Sequence, residues 1–159
     1  MSAKMTRWGV GPHLTLLTFG YAALTVLVWR LAPDETSIDF VPYWVLATTG
    51  AVLLAIGLPS LRWAAISAMR AYDADDLATQ GLFRLCRHPI YASWVVFLVP
   101  GAALLTGSWV VLTVCPVMYV GVRILVRREE AYLEQEFGQA YLDYKARVPA
   151  ILPLGWLRR

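Results

Sequence analysis

Charge is the commodity this chain has least of. Only 16% of its 159 residues are Asp, Glu, Lys or Arg, against roughly 25% in a typical soluble domain. Hydrophobic residues make up 58% of the chain, and its mean hydropathy is +0.55. One small core cannot hide that much apolar surface from water, so lipid has to cover it. The length fits a single membrane domain over residues 1–159.

Cysteine and histidine are equally scarce. Two Cys (Cys86 and Cys115) and two His yield neither a disulfide framework nor a zinc site at these spacings, so no metal is expected. The formal charge of +3 is spread along the chain with no uninterrupted basic tract, which argues against a nucleic-acid surface. Lys4 and Arg7 precede an apolar run, as in a signal peptide. That run is long enough to span a bilayer, however, and no small-residue cleavage site follows it, so an anchored helix is expected.

What the chain does have is apolar runs. A bilayer core takes about 20 helical residues at about 1.5 Å each. The first run extends from about Leu14 to Trp29, with Trp8 and Trp29 as interface anchors. A short acidic connection, Pro33 to Asp39, leads into a second span from about Phe40 to Leu61, with Pro42 in its first turn and Pro59 near its far end. Residues 1–61 thus hold two N-terminal spans. Arg62 to His88 is polar, a loop or interfacial helix outside the hydrocarbon. Pro89 to Val122 then carries no charge for about 34 residues, too many for one span and few for two. A turn at Gly101 to Ser108 leaves arms of roughly 15 residues, about 22 Å against a core of about 30 Å. Pro100 and Pro116 are each expected to kink an arm. From Arg123 onward Leu133, Phe137, Tyr141, Tyr144 and Val148 recur at helical spacing, an apolar face for a cytosolic or interfacial helix that Gly138 interrupts and Pro149 and Pro153 end. The fold expected is an all-α integral membrane protein of about four transmembrane helices, the last two a short hairpin.

Lys and Arg set the orientation. The N-terminal tail has two and the first connection only Arg30. The second connection has Arg62, Arg70, Arg84 and Arg87; the hairpin turn has none and the C-terminal region seven. Both termini are therefore expected in the cytosol. Arg84, Arg87 and His88 stand at one foot of the hairpin, and Arg123, Arg127, Arg128, Glu129 and Glu130 at the other. A tight hairpin brings its feet together, so these clusters should face each other. Singly, each residue has an ordinary reading: edge arginines snorkel, and carboxylates beyond a span are solvated. Composition and spacing therefore support a polar pocket at the membrane edge and no particular reaction.

The wording of the segments is more specific. Gly81-Leu82-Phe83-Arg84-Leu85-Cys86-Arg87-His88-Pro89-Ile90-Tyr91 resembles a signature of the isoprenylcysteine carboxyl methyltransferase and phospholipid methyltransferase superfamily, in which RHPxY enters a membrane hairpin. About 40 residues later come Glu129-Glu130, Leu133, Phe137-Gly138, Tyr141, Tyr144, Arg147-Val148-Pro149 and Pro153, which resemble the family's other half. The resemblance covers residues 81–153. It implies S-adenosylmethionine as cofactor, held without a Rossmann fold and reached from the cytosol, and an acceptor drawn from the bilayer. Leu82, Arg87, His88 and Tyr91 would line the cofactor pocket, with Glu129 and Glu130 closing its other side. Carboxylates suit the cofactor's ammonium or ribose diol, and Arg87 or backbone amides near His88 suit its carboxylate. Arg123, about one turn before the acidic pair, would orient an anionic acceptor. Ser93 stands where the family often has glycine. Two other readings remain open: an NADPH-dependent membrane reductase of the sterol reductase type, though such proteins are typically larger, and a non-catalytic membrane subunit retaining the fold.

Overall fold

The computed structural model describes residues 11–151. Lys4, Arg7, Trp8 and Pro153 lie outside that range. Four long helices, α1 (Gly11–Leu31), α2 (Tyr43–Asp73), α3 (Pro89–Thr106) and α4 (Trp109–Arg147), carry the described chain, with no strand among these residues. The last three are long and apolar enough to cross a bilayer, and α1 adds a shorter apolar stretch, Thr18–Leu31. Exposure confirms the solvent: Leu16 is 78% exposed, Trp44 69% and Ile124 60%. Side chains of that kind on an outer surface belong in lipid.

Helix α2 runs past the expected end at Leu61. Pro59 sits inside it, and the helix continues through Arg62 and Arg70 to Asp73. The bilayer edge near Leu61 changes the polarity of the helix without stopping it, because nothing there removes the backbone bonds. The stop comes where Asp75 takes a left-handed φ of 53°, a conformation Asp tolerates better than most residues.

The hairpin arms are longer than expected. The turn is confined to Gly107 and Ser108, since Gly107, at φ 64°, is the first residue to leave the helix. The 18 residues of α3 make about 27 Å of helix, close to a full crossing. The helix is irregular ahead of both prolines. Ahead of Pro100 the helix widens to a π turn over Ser93–Leu98, where the Val99 N–H donates to the carbonyl of Trp94, five residues back. That wider turn makes room for a ring whose nitrogen cannot donate. In α4 the helix breaks at Thr113, three residues before Pro116.

The helices pair as α2 with α3 and α1 with α4. A Cβ on Gly50 would stand 2.7 Å from the Gly101 carbonyl oxygen, and one on Gly57 2.6 Å from Phe97 Cβ. In lipid no hydrophobic force drives helices together, so small residues that let backbones touch supply the packing. Against α4, Tyr21 and Thr113 join hydroxyls at 3.0 Å.

At one end of the bundle the first connection meets the hairpin turn. The Ile38 N–H donates to the Gly107 carbonyl (2.8 Å), and the Trp109 indole N–H to the Glu35 carbonyl (3.2 Å). The 74–88 connection and the polar end of α4 therefore share the opposite end. There α4 continues without a gap from the membrane into the polar region, so the C-terminal helix is an extension of the second arm. Gly138, at φ 53° and ψ −127°, breaks it as expected.

Candidate active site

The site begins with local chain geometry. Gly81, at φ 61°, turns the chain into a 3-10 turn, Gly81–Arg84. The Leu82 carbonyl accepts from Leu85 and Cys86 N–H, which sets the path into Arg87. His88 caps α3, and Pro89 occupies its first turn, where a missing N–H costs nothing. The N–H groups of Arg87 and His88 point elsewhere: they donate to the carbonyls of Pro149 (2.8 Å) and Ala150 (2.9 Å). The segment after α4 is thereby laid along the foot of α3, and Ile151 is buried with Tyr91, Met118, Val122 and Val126.

The two feet of the hairpin meet as the sequence led one to expect. Arg87 donates from Nε (3.2 Å) and Nη2 (2.5 Å) to Glu130 Oε1, with both side chains about nine-tenths buried. His88 Nε2 lies 3.3 Å from the same oxygen, and its Nδ1 is 4.0 Å from Glu129 Oε1. Tyr91 donates its hydroxyl to Glu129 Oε2 at 3.0 Å and stacks on His88 with ring centroids 5.8 Å apart. His88, Tyr91, Glu129 and Glu130 therefore form one hydrogen-bonded cluster.

Three further residues belong to this constellation and were not named as site residues from the sequence. Lys145 bonds Glu134 and lies 3.3 Å from Glu130 Oε2. Tyr144 donates to the Phe83 carbonyl at 2.7 Å, tying α4 to the 3-10 turn. Tyr141 is fully buried, its hydroxyl has no hydrogen-bond partner among the described residues, and it lies close enough to Glu130 and Arg87 to feel their charges. The two tyrosines were visible on the apolar face of α4 and in the family-like pattern, which marked their positions and not their roles. Lys145 carried none.

Electrostatics separate the two glutamates. Burial alone pushes the Glu130 carboxyl up, but hydrogen bonds from His88 and Arg87, and the charges of both, outweigh it and hold the group at about 2. Lys145 is held above its ordinary value chiefly by its bond to Glu134. Burial pushes the Cys86 thiol up to about 11, so it is no nucleophile at neutral pH.

Three expected site residues stand differently. Arg87 spends four of its five N–H donors within the protein: besides Glu130 it donates through Nη1 to the carbonyls of Lys145 (3.0 Å) and Val148. A guanidinium so occupied braces the site. Arg123 precedes Glu129 by nearly two turns, not one. It is exposed, and its side chain makes no hydrogen bond or ion pair among the described residues. Leu82 is half-buried on the 3-10 turn, and its fixing contacts run through its carbonyl. Ser93, in the position often held by glycine, is buried and donates to the Pro89 carbonyl at 2.8 Å, so its hydroxyl is satisfied inside its own helix.

An all-helical membrane bundle with a polar cluster at the feet of a hairpin defines the class of molecule. Residues 47–140, more than half of the chain, match the phospholipid methyltransferase family, and the chain belongs to that family. The match starts inside α2, well before Gly81, so the second span carries family pattern that its apolar composition conceals. A probable protein-S-isoprenylcysteine O-methyltransferase of Oryza sativa subsp. indica is 28% identical over 120 residues, covering 70% of this chain and 63% of the rice protein. Protein-S-isoprenylcysteine O-methyltransferase B of Arabidopsis thaliana is 25% identical over 120 residues, covering 70% and 61%. The Mus musculus protein-S-isoprenylcysteine O-methyltransferase is 35% identical over 86 residues, covering 51% of this chain and 29% of its own. The chain thus spans about three fifths of the length of the plant relatives it matches. No solved structure matches it.

Proposed function

We propose that this protein transfers a methyl group from S-adenosylmethionine to a membrane-associated or amphiphilic acceptor, at the cytosolic edge of the bilayer. The observation that carries the reading is the cluster at the hairpin feet, in which His88, Tyr91 and Glu129 are fixed by one another while ligand-directed capacity remains.

Two atoms fit a bound cofactor. Glu129 Oε2 is taken by Tyr91, but among the described residues Oε1 has only His88 Nδ1 at 4.0 Å and can accept from an ammonium or a ribose hydroxyl. The Tyr141 hydroxyl, buried without a partner among the described residues, can donate; native proteins seldom leave such a group empty-handed. Glu130 serves differently. With Arg87, His88 and Lys145 on it, it holds the two feet and the C-terminal segment in register. When bound, S-adenosylmethionine supplies a carbon made electrophilic by a sulfonium. The protein contributes alignment and exclusion of water.

The acceptor arrives already ionised in this account. His88 Nε2 is bound to Glu130 and Cys86 is protonated, so neither offers a base. A carboxylate or thiolate needs none. Relatives named as O-methyltransferases support an oxygen acceptor, and the exposed Arg123, on the membrane side of Glu130, suits an anion. Labelled S-adenosylmethionine offered to the detergent-purified protein with prenylated cysteine carboxylates, phosphatidylethanolamine and small amphiphilic thiols tests the reading. Label should enter at least one acceptor, and NADPH should give no thermal stabilisation. Stabilisation by NADPH alone would assign a reductase instead, and no response to either cofactor would assign a non-catalytic subunit.

A further inference from the structure

A polar cavity of about 490 Å³ opens at the same end of the bundle. It lies between the 76–84 connection and the last turns of α4, and its walls include Asp76, Thr79, Gln80, Arg84, Tyr144 and Arg147. The Tyr144 hydroxyl is spent on the Phe83 carbonyl. None of the cluster residues His88, Tyr91, Glu129 or Glu130 lines this cavity.

Two arginines stand in its walls. Arg84 makes no ion pair or side-chain hydrogen bond among the described residues, and Arg147 makes only a bond from Nε to the Asp143 carbonyl, 3.0 Å long. That bond steadies the Arg147 fork and leaves its terminal nitrogens free. The one carboxylate in the wall, Asp76, accepts the Leu77 N–H at 2.7 Å through Oδ1 and lies beyond ion-pair distance of both arginines. Two unpaired guanidiniums lining one cavity, with the hydroxyl of Thr79 and the amide of Gln80 beside them, present a fan of donors with no protein acceptor.

We propose that this cavity binds a phosphate group, either in the headgroup of a bilayer lipid or as a free phosphate. Phosphate oxygens take bidentate donation from Arg with a geometry that Lys cannot supply. The location favours the lipid source, because the cavity is built on the connection that enters α3 at Pro89 and so lies beside the membrane edge, where basic residues meet anionic lipid. The site is separate from the proposed cofactor pocket. A lipid held here would brace the 76–84 connection against α4 and keep the loop that leads to Arg87 and His88 in place.

The intact protein is reconstituted in nanodiscs of phosphatidylcholine with and without phosphatidylglycerol, then released into detergent and weighed by native mass spectrometry. Wild type should retain one phosphatidylglycerol, and Arg84→Gln/Arg147→Gln should lose it. Both side chains reach solvent, so the variant is expected to fold. Arg84→Lys keeps the charge and should weaken retention at least fivefold. Arg62→Gln/Arg70→Gln removes two charges from the same end of the molecule and should retain the lipid. In a second arm, inorganic phosphate is titrated by thermal shift. Stabilisation of wild type but not of the Arg84/Arg147 double variant, without lipid retention, identifies a free phosphate as occupant. Equal retention in wild type and double variant with no phosphate response, or equal loss in both double variants, overturns the proposal. Titration of S-adenosylhomocysteine on the same proteins reads the cofactor site independently.

Discussion

Arg87 and Glu130, 43 residues apart in sequence, share one carboxylate oxygen through two guanidinium nitrogens while the same guanidinium reaches the carbonyls of Lys145 and Val148. One side chain therefore locks three pieces of chain together: the foot of α3, the membrane end of α4, and the segment that follows α4. Breaking a buried pair by removing one partner strands the other charge and costs about 3–5 kcal/mol. Arg87→Ala should lower unfolding stability in detergent by about 3 kcal/mol. Arg87→Lys should recover part of this, since it keeps the charge and forfeits the fork. Equal stability of wild type and Arg87→Ala would remove the lock from the account.

The same pair makes stability depend on acid. The Glu130 carboxyl is depressed from an ordinary 4.5 to about 2 in the folded protein. Its contribution is then fully present above pH 4.5 and is lost as pH falls from there towards 2, because the unfolded chain takes up the proton first. Thermal unfolding followed across this window should fall more steeply in wild type than in Glu130→Gln. Parallel curves would contradict the assignment.

Tyr141 allows stability and binding to be separated. Its hydroxyl meets no partner in full hydrogen-bond geometry among the described residues and stands beside the Arg87 guanidinium, so Tyr141→Phe removes at most that one contact and relieves a buried polar group. Stability should stay level or rise, while affinity for S-adenosylhomocysteine should drop about tenfold, or about 1.4 kcal/mol. Lower stability with unchanged affinity would mean that the hydroxyl serves the fold.

Helix packing supplies a prediction independent of the site. Gly57→Ala puts a methyl 2.6 Å from Phe97 Cβ, which is fixed to the backbone of α3, so the helices must separate. Overpacking of that kind costs about 1–3 kcal/mol. Gly20→Ala meets nothing within 4 Å and should be neutral or stabilising by about 0.5–1 kcal/mol. Denaturation of the two variants side by side tests whether backbone proximity is what joins α2 to α3.

Much of this was legible in the sequence, for reasons that can be named. Charge depletion announced the lipid solvent, and the uncharged run from Pro89 to Val122 fixed a hairpin whose feet had to meet, which brought His88 to Glu130. The end of α2 was not legible: polarity changes at Arg62, and the helix crosses that boundary without losing a backbone bond. Arg87's role was hidden because two of its partners are carbonyls of Lys145 and Val148. Backbone acceptors leave no mark in residue types, whereas Glu130 could be read directly.

The proposed cofactor site at the hairpin feet, with Glu129 offering the open carboxylate, is open to direct measurement. Calorimetric titration of S-adenosylhomocysteine into the detergent-purified protein tests it most directly. Wild type should saturate with one ligand bound, and Glu129→Gln should bind at least tenfold more weakly at unchanged thermal stability. No binding by wild type, or identical affinity in the Glu129→Gln variant, would contradict it.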